Sequence, residues 1–141
     1  MTRNEARETL MQILYELDIT KELHGEASVS RGEDLASERL SGNHIERGRG
    51  LLRDIITNLE DIDGVINTCS TKWKTTRMPK VDLAIMRLAA GEMRFSEDVP
   101  HAVIINEAIN MAKKYSTDHS AKFIHGVLGS ISKIYSGNRH E

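Results

Sequence analysis

Cysteine, proline and aromatic residues are scarce in this 141-residue sequence, and long apolar runs are missing from it. Cys69 is the single cysteine, so an intrachain disulfide is impossible and a cysteine-built metal site is not offered. Aromatic residues make up 4% of the chain, and the two prolines, Pro79 and Pro100, lie between stretches of helical pattern. No apolar stretch approaches the roughly 20 residues that cross a bilayer, and neither end has a basic stretch followed by an apolar run. We therefore expect a cytoplasmic protein without a membrane partner.

The sequence also lacks the motifs of familiar catalytic sites. It contains no Gly-x-Ser-x-Gly elbow, no Walker loop, no dinucleotide fingerprint and no His-Glu-x-x-His helix. His119 and His125 are six positions apart, which places them near opposite sides of a helix rather than together at a metal ion. The paired acids Glu60-Asp61 and Glu97-Asp98 fall at expected helix ends or turns, where they favour cap and dipole roles. The sequence predicts a protein that is not an enzyme and that needs no metal or cofactor.

Charge is unevenly distributed along the chain, although its net value is only −2. Residues 1–71 carry eight Lys/Arg and fourteen Asp/Glu, a net charge of −6, whereas residues 72–141 carry eleven against seven, a net charge of +4. In the segment that opens the second half, a single acid, Asp82, accompanies five cations: Lys72, Lys74, Arg77, Lys80 and Arg87. Clustered positive charge attracts a polyanion whatever the total charge. From charge alone, a polyanion-binding surface and an ordinary solvated surface are equally good interpretations.

Apolar residues recur at helical spacing through the first half. Thr2-Arg3-Asn4-Glu5 has the form of a capping box, and a stripe of apolar residues follows it. Arg7, Met11 and Tyr15 are four positions apart and are predicted to form one ridge beside the buried face of this helix. A short helix is predicted near residues 32–40. Another is predicted from Ile45 to Leu59, continued or kinked through Cys69.

Three amphipathic helices are predicted in the last third. Pro79 suits the first turn of a helix whose apolar residues cover much of its circumference, so this helix is expected to be the most buried. A turn ending at Pro100 separates it from the next helix, and Thr117 or Asp118 caps the last one. No segment alternates in the manner of a strand. The predicted fold is all-α, a single domain over residues 1–141.

Several segments, taken in order and spacing, resemble the NusB family of bacterial antitermination factors over essentially the whole chain. They are Ala6-Arg7-Glu8 with Gln12-Ile13-Leu14-Tyr15, Trp73 with Arg77, Val81-Asp82, Ile85-Met86-Arg87-Leu88-Ala89, Val99-Pro100, Ile105-Asn106-Glu107-Ala108 and Phe123-Ile124-His125-Gly126-Val127-Leu128. The resemblance implies about six or seven helices in two packed sub-bundles, roughly residues 1–71 and 72–141. It also implies RNA binding without catalysis.

The resemblance further implies partners and contact residues. Members of the family pair with NusE, a small-subunit ribosomal protein, on the boxA element of nascent transcripts. With other Nus factors they help RNA polymerase to read through terminators in ribosomal-RNA operons. The positions that match the family's RNA contacts are Arg3, Arg7, Tyr15, His119, Lys122, Phe123 and His125. Thr76 and Asp82 match the region that faces NusE. Cations for phosphates and flat side chains for bases are what single-stranded RNA requires.

This sequence departs from the family's pattern at three places. The family often opens with a dense arginine cluster, of which only Arg3 and Arg7 are present here. Fewer phosphate contacts predict weaker RNA binding and a shallower salt dependence, with a slope of about −0.7 per contact for single strands. His125 stands where the family usually has Asn, and Gly91 stands where relatives commonly place an aromatic residue.

Other interpretations of the same residues stay open at this stage. Phe123 is equally suited to the edge of the core, Tyr15 to covering a helix seam, and Asp82 to a helix start. Two alternative functions are a helical protein-binding scaffold and a separate RNA-binding partner of an enzyme that modifies ribosomal RNA. Some relatives self-associate, so a homodimer and a monomer are both compatible with the sequence.

Overall fold

The computed structural model describes residues 1–136, which form seven α-helices and no strand. The helices are α1 (Arg3–Ile19), α2 (Ser28–Arg39), α3 (His44–Thr57), α4 (Leu59–Cys69), α5 (Lys80–Phe95), α6 (His101–Tyr115) and α7 (Asp118–Ser136). A short 3₁₀ helix, Thr75–Arg77, lies between α4 and α5. The all-α prediction is confirmed. None of the helices in the described part of the chain combines the length and apolar character that a bilayer span requires.

The helix boundaries follow local signals that the sequence carries. Thr2 and Glu5 form the predicted capping box: the Thr2 side chain accepts a hydrogen bond from the Glu5 N–H at 3.1 Å, and the Glu5 carboxylate accepts one from the Thr2 N–H at 2.8 Å. At the start of α7 the Thr117 hydroxyl accepts a hydrogen bond from the Ser120 N–H at 2.9 Å, so Thr117 is the cap. The predicted long helix is interrupted at Asn58, whose backbone leaves the helical region and whose side chain donates to the Asp54 carbonyl at 2.8 Å.

Helix α5 is the centre of the molecule. Every residue from Asp82 to Met93 is buried, as its nearly continuous apolar circumference predicted. It packs against α1, α3 and α4 on one side and against α6 and α7 on the other. Within residues 1–136 the buried apolar side chains form one contiguous cluster that crosses the boundary at residues 71 and 72. The division into two sub-bundles stays a prediction, since α5 belongs to the packing of both.

Gly91 allows α3 to approach α5 closely. A Cβ at this position would lie 2.3 Å from Cγ1 and 2.4 Å from Cδ1 of Ile55, inside van der Waals contact. Ile55 on α3 is fully buried, and it fills the space that a larger residue 91 would occupy. Ile55 therefore takes the place beside α5 that an aromatic side chain at position 91 would need.

Candidate nucleic-acid interface

The start of α7 presents three of the predicted RNA-contact residues together. His119 and Lys122 are exposed, and Phe123 is half-buried against the apolar core. They lie within the first two turns of α7, where the Thr117 cap and a hydrogen bond from the Ser120 hydroxyl to Asp82 at 2.7 Å hold the helix in place. The partial burial of Phe123 is compatible with both interpretations of it, and its RNA contact stays a prediction.

A tryptophan from the loop before α5 completes this surface, and the sequence analysis assigned it no contact. The Trp73 and Phe123 ring centroids are 5.8 Å apart with a 47° angle between the ring planes. The Lys72 ammonium lies 5.7 Å from the Trp73 ring centroid and 3.5 Å from Nε2 of His119. Lys72, Trp73, His119 and Phe123 are called the Trp73 cluster below. The sequence does carry a signal for Trp73 as a surface residue: it is the single tryptophan, and it stands between two lysines, Lys72 and Lys74.

A groove between α6 and α7 continues the surface from the Trp73 cluster. It is lined by Ile109, Lys113, Asp118, Ala121, Lys122 and His125. His125 is exposed on α7, as its predicted role requires. Lys113, Lys122 and His125 are basic side chains, and Asp118 is the single acid of the lining. The groove therefore suits an anionic ligand that also has apolar parts.

Arg7 is held inside the protein rather than displayed on its surface. Its side chain is 11% exposed, and its Nε donates to the two carboxylate oxygens of Glu92 on α5 at 2.9 and 3.2 Å. Its Nη1 reaches Oδ1 of Asn4 at 3.4 Å. The predicted ridge of Arg7, Met11 and Tyr15 is thus divided, because Arg7 and Met11 are buried while Tyr15 is 39% exposed. The RNA role predicted for Arg7 stays a prediction, and its charge is already paired.

Arg3 and Tyr15 are the two exposed members of the predicted contact residues on α1. At 1.5 Å of rise per residue, Tyr15 lies about 12 Å along the helix axis from Arg7 and about 18 Å from Arg3. Contacts in the amino-terminal half of α1 connect it to the end of α6: Glu8 accepts hydrogen bonds from Tyr115 at 2.9 Å and from Lys114 at 3.0 Å. The predicted contact residues of α1 are therefore spread along the helix rather than gathered at one point.

Two of the five cations that open the second half, Lys80 and Arg87, already lie beside acidic side chains and are less available to a polyanion. Arg87 is 4% exposed, and it donates to Asp63 at 2.8 Å through two nitrogens and to Asp18 at 3.2 Å. Lys80 also approaches Asp18, at 3.4 Å. Asp82 is the single acid beside these cations along the chain, but acids of α1 and α4, distant in sequence, reach Lys80 and Arg87 in the fold. Lys72, Lys74 and Arg77 remain exposed.

The two residues predicted to face NusE occupy different environments. Thr76 is exposed in the 3₁₀ helix. Asp82 is completely buried, and its Oδ2 accepts the hydrogen bond from Ser120 while its Oδ1 has no hydrogen-bond partner. Asp82 is thus enclosed in the contact between α5 and α7, and its assignment to NusE stays a prediction.

The other groups within residues 1–136 that could carry chemistry are the histidines, the acids and Cys69. Among residues 1–136 no group of three or more His, Cys, Asp or Glu side chains is placed to hold a metal ion. Burial raises the pKa of the Cys69 thiol, which disfavours the reactive thiolate. The described chain is defined by an all-helical core and by a cation-and-aromatic surface at one end, which is the architecture of a helical binding protein.

Comparison with known proteins identifies the family. The NusB family model matches residues 4–133, and this chain belongs to the NusB family. It is 40% identical over 135 residues to the transcription antitermination protein NusB of Clostridium novyi, a match that covers 94% of this chain and 99% of that protein. A second such relative, from Acetivibrio thermocellus, is 40% identical over 134 residues and covers 95% of this chain and 90% of the relative. The chain is a transcription antitermination factor, and the expectation that it is not an enzyme is confirmed by its family.

Solved structures agree with this membership. NusB of T. maritima superposes with a TM-score of 0.83 at 32% sequence identity, covering 94% of this chain and 92% of that one. A chain from a crystal structure of antitermination factors NusB and NusE in complex with dsRNA gives a TM-score of 0.77 at 24% identity, covering 94% and 96%. At that identity the second likeness shows the shared fold alone.

Proposed function

We propose that this protein binds boxA-type single-stranded RNA of ribosomal-RNA operons together with NusE, and that it acts there in antitermination with RNA polymerase and the other Nus factors. The observation that carries the RNA part is the exposed start of α7. There Lys122 and His119 stand beside the partly exposed ring of Phe123. Cations beside accessible aromatic rings are the combination that unpaired RNA requires. The site of action is the cytoplasm.

The shape of the surface supports a strand rather than a compact ligand. The groove between α6 and α7 extends the cationic surface through Lys113 and His125. Tyr15 and Arg3 add accessible positions along α1. A flexible single strand follows such a dispersed track, whereas a rigid duplex would need its contacts at the spacing of its grooves.

The partner part of the proposal rests on the loop before α5 and on family membership. Thr76 is exposed there, in the 3₁₀ helix that follows Lys74. NusE is the partner named in the crystal structure whose NusB chain shares this fold. A complex with NusE would add a second protein surface to the RNA site and so increase affinity for the same strand.

The test is fluorescence-anisotropy binding of a boxA-containing RNA and of a scrambled RNA, with and without purified NusE, over a range of salt concentrations. We expect preferential binding of boxA RNA, stronger with NusE and weaker after Lys122→Ala. The matched control is Arg53→Ala, which removes one exposed cation from α3. Equal binding of both RNAs, or none, in the presence of NusE shown to associate would overturn the RNA proposal and favour a helical protein-binding scaffold.

A further inference from the structure

Trp73 is the single tryptophan of the sequence, and 39% of it remains exposed. An indole is normally well buried in a folded protein, so an accessible one calls for a role. We propose that the Trp73 ring, packed against Phe123, is a binding site for an unpaired RNA base, and that Lys72 pairs with the adjoining phosphate. This inference rests on the proposed RNA-binding function and adds two residues to it.

The loop that carries Trp73 is held firmly in place. The Ser70 hydroxyl donates to the Trp73 carbonyl and accepts a hydrogen bond from the Trp73 N–H at 3.3 Å. Two residues further on, the Thr75 N–H donates to Asn67 Oδ1 at 2.8 Å, and the Asn67 amide donates to the Thr75 hydroxyl at 3.3 Å. Since the loop is already ordered, a base that stacks there does not have to fix it, and little conformational entropy is lost on binding.

The ring arrangement suits base stacking. Phe123 supports Trp73 at a centroid distance of 5.8 Å, and Phe123 is itself anchored against the core. Stacking on an aromatic ring accepts every base, because each base has a π face. The site would therefore increase affinity for unpaired RNA without reading its sequence.

The charge around Trp73 favours a nucleic acid over a protein surface as the occupant. The ammonium of the exposed Lys72 lies over the Trp73 ring, 5.7 Å from its centroid, so a cation already stands beside the proposed base site. Lys74 and Arg77 in the same loop are also exposed. Three accessible cations in the loop that carries this aromatic ring match a chain of phosphates and bases, whereas a protein surface usually presents charges of both signs.

The single tryptophan makes a direct test possible with the unaltered full-length protein. We expect its fluorescence to be quenched when an unpaired oligoribonucleotide is titrated in without NusE, and the bound ring to be shielded from acrylamide. Unchanged fluorescence and unchanged acrylamide access at saturating RNA, with binding established by anisotropy, would overturn the base site and leave the proposed function standing. Failure of the wild-type protein to bind RNA at all would overturn both.

Variants separate stacking from charge. Trp73→Leu is expected to weaken RNA binding about five- to hundredfold, the range for losing one stacked base, with the salt slope unchanged. Trp73→Phe should retain most of the affinity, and Lys72→Ala should reduce the salt slope by about 0.7. Phe95→Leu, at the other end of α5, is the matched control for losing an aromatic ring.

Folding and the competing occupant are controlled in the same series. Circular dichroism and thermal unfolding of Trp73→Leu and Trp73→Phe show whether each variant is folded, and the wild-type fluorescence titration needs no variant at all. If Trp73→Leu weakens the association with NusE but leaves RNA binding without NusE unchanged, Trp73 belongs to a protein interface and the base site is overturned.

Discussion

At the scale of single residues, the packing of Ile55 against Gly91 limits the size of the side chain at position 91. A Cβ there would lie 2.3 Å from Ile55 Cγ1, so Gly91→Ala overpacks the core and should destabilise the protein by about 1–3 kcal/mol. Urea unfolding measures the change. The cost should be smaller in an Ile55→Ala background, where the clashing atoms are gone. Gly64→Ala in α4 is the matched control, because nothing lies within 4 Å of its added Cβ. An equal cost at both glycines would contradict this account.

Arg7 and Glu92 form a buried ion pair, and removal of one partner leaves the other charge without compensation. Arg7→Met should therefore destabilise the protein by about 3–5 kcal/mol, while Arg7→Met with Glu92→Leu should recover much of that loss. Urea unfolding of the two variants tests this. The double variant then decides the RNA role of Arg7: if it is folded and binds RNA normally, Arg7 acts through the fold alone.

At the scale of helices, the contact between α5 and α7 depends on Ser120. Its hydroxyl donates to the buried Asp82 carboxylate at 2.7 Å. Ser120→Ala therefore removes the one hydrogen bond described for the Asp82 side chain. We expect a loss of about 1–3 kcal/mol and faster hydrogen exchange in the first turns of α7. RNA affinity should fall with it, because His119 and Lys122 lie on those turns. Ser130→Ala, an exposed serine later in α7, should change neither measurement.

At the scale of the whole molecule, ion pairs between helices make stability depend on pH. Arg39 at the end of α2 donates to both carboxylate oxygens of Glu16 on α1, at 2.7 and 3.2 Å, and these hydrogen bonds lower the pKa of Glu16. A carboxylate with a lowered folded pKa stabilises the protein above its unfolded pKa, about 4.3, and loses that effect as the pH falls through the folded value. Acid should therefore weaken the α1–α2 contact.

This expectation is tested by an NMR titration of the glutamate side chains. Arg39→Ala should raise the pKa of Glu16 toward its ordinary range. The pKa of Glu5, lowered by its hydrogen bonds with Thr2, should stay where it is. The variant should also lose less stability than the wild-type protein as the pH falls from about 4.3 through the lowered folded pKa of Glu16. Identical Glu16 titration curves in the two proteins would contradict the assignment.

Local signals in the sequence determined the helices and their ends. The capping box at Thr2, the Thr117 cap and the apolar circumference of α5 act over three or four residues, so they can be recognised without the fold. The break at Asn58 lay within one continuous apolar pattern, which explains why one long or kinked helix was predicted there. The family resemblance, carried by ordered segments, also needed no structure.

Tertiary structure alone decided which charged residues remain available. Arg7 meets Glu92 across 85 positions, and Arg87 meets Asp18 across 69, so no local pattern could show that these cations are paired. Trp73 and Phe123 are 50 positions apart in the sequence, and the fold likewise places them in contact. Helices form from neighbours along the chain, whereas a binding surface forms from residues that packing brings together, and its free charges are those that the core has not already paired.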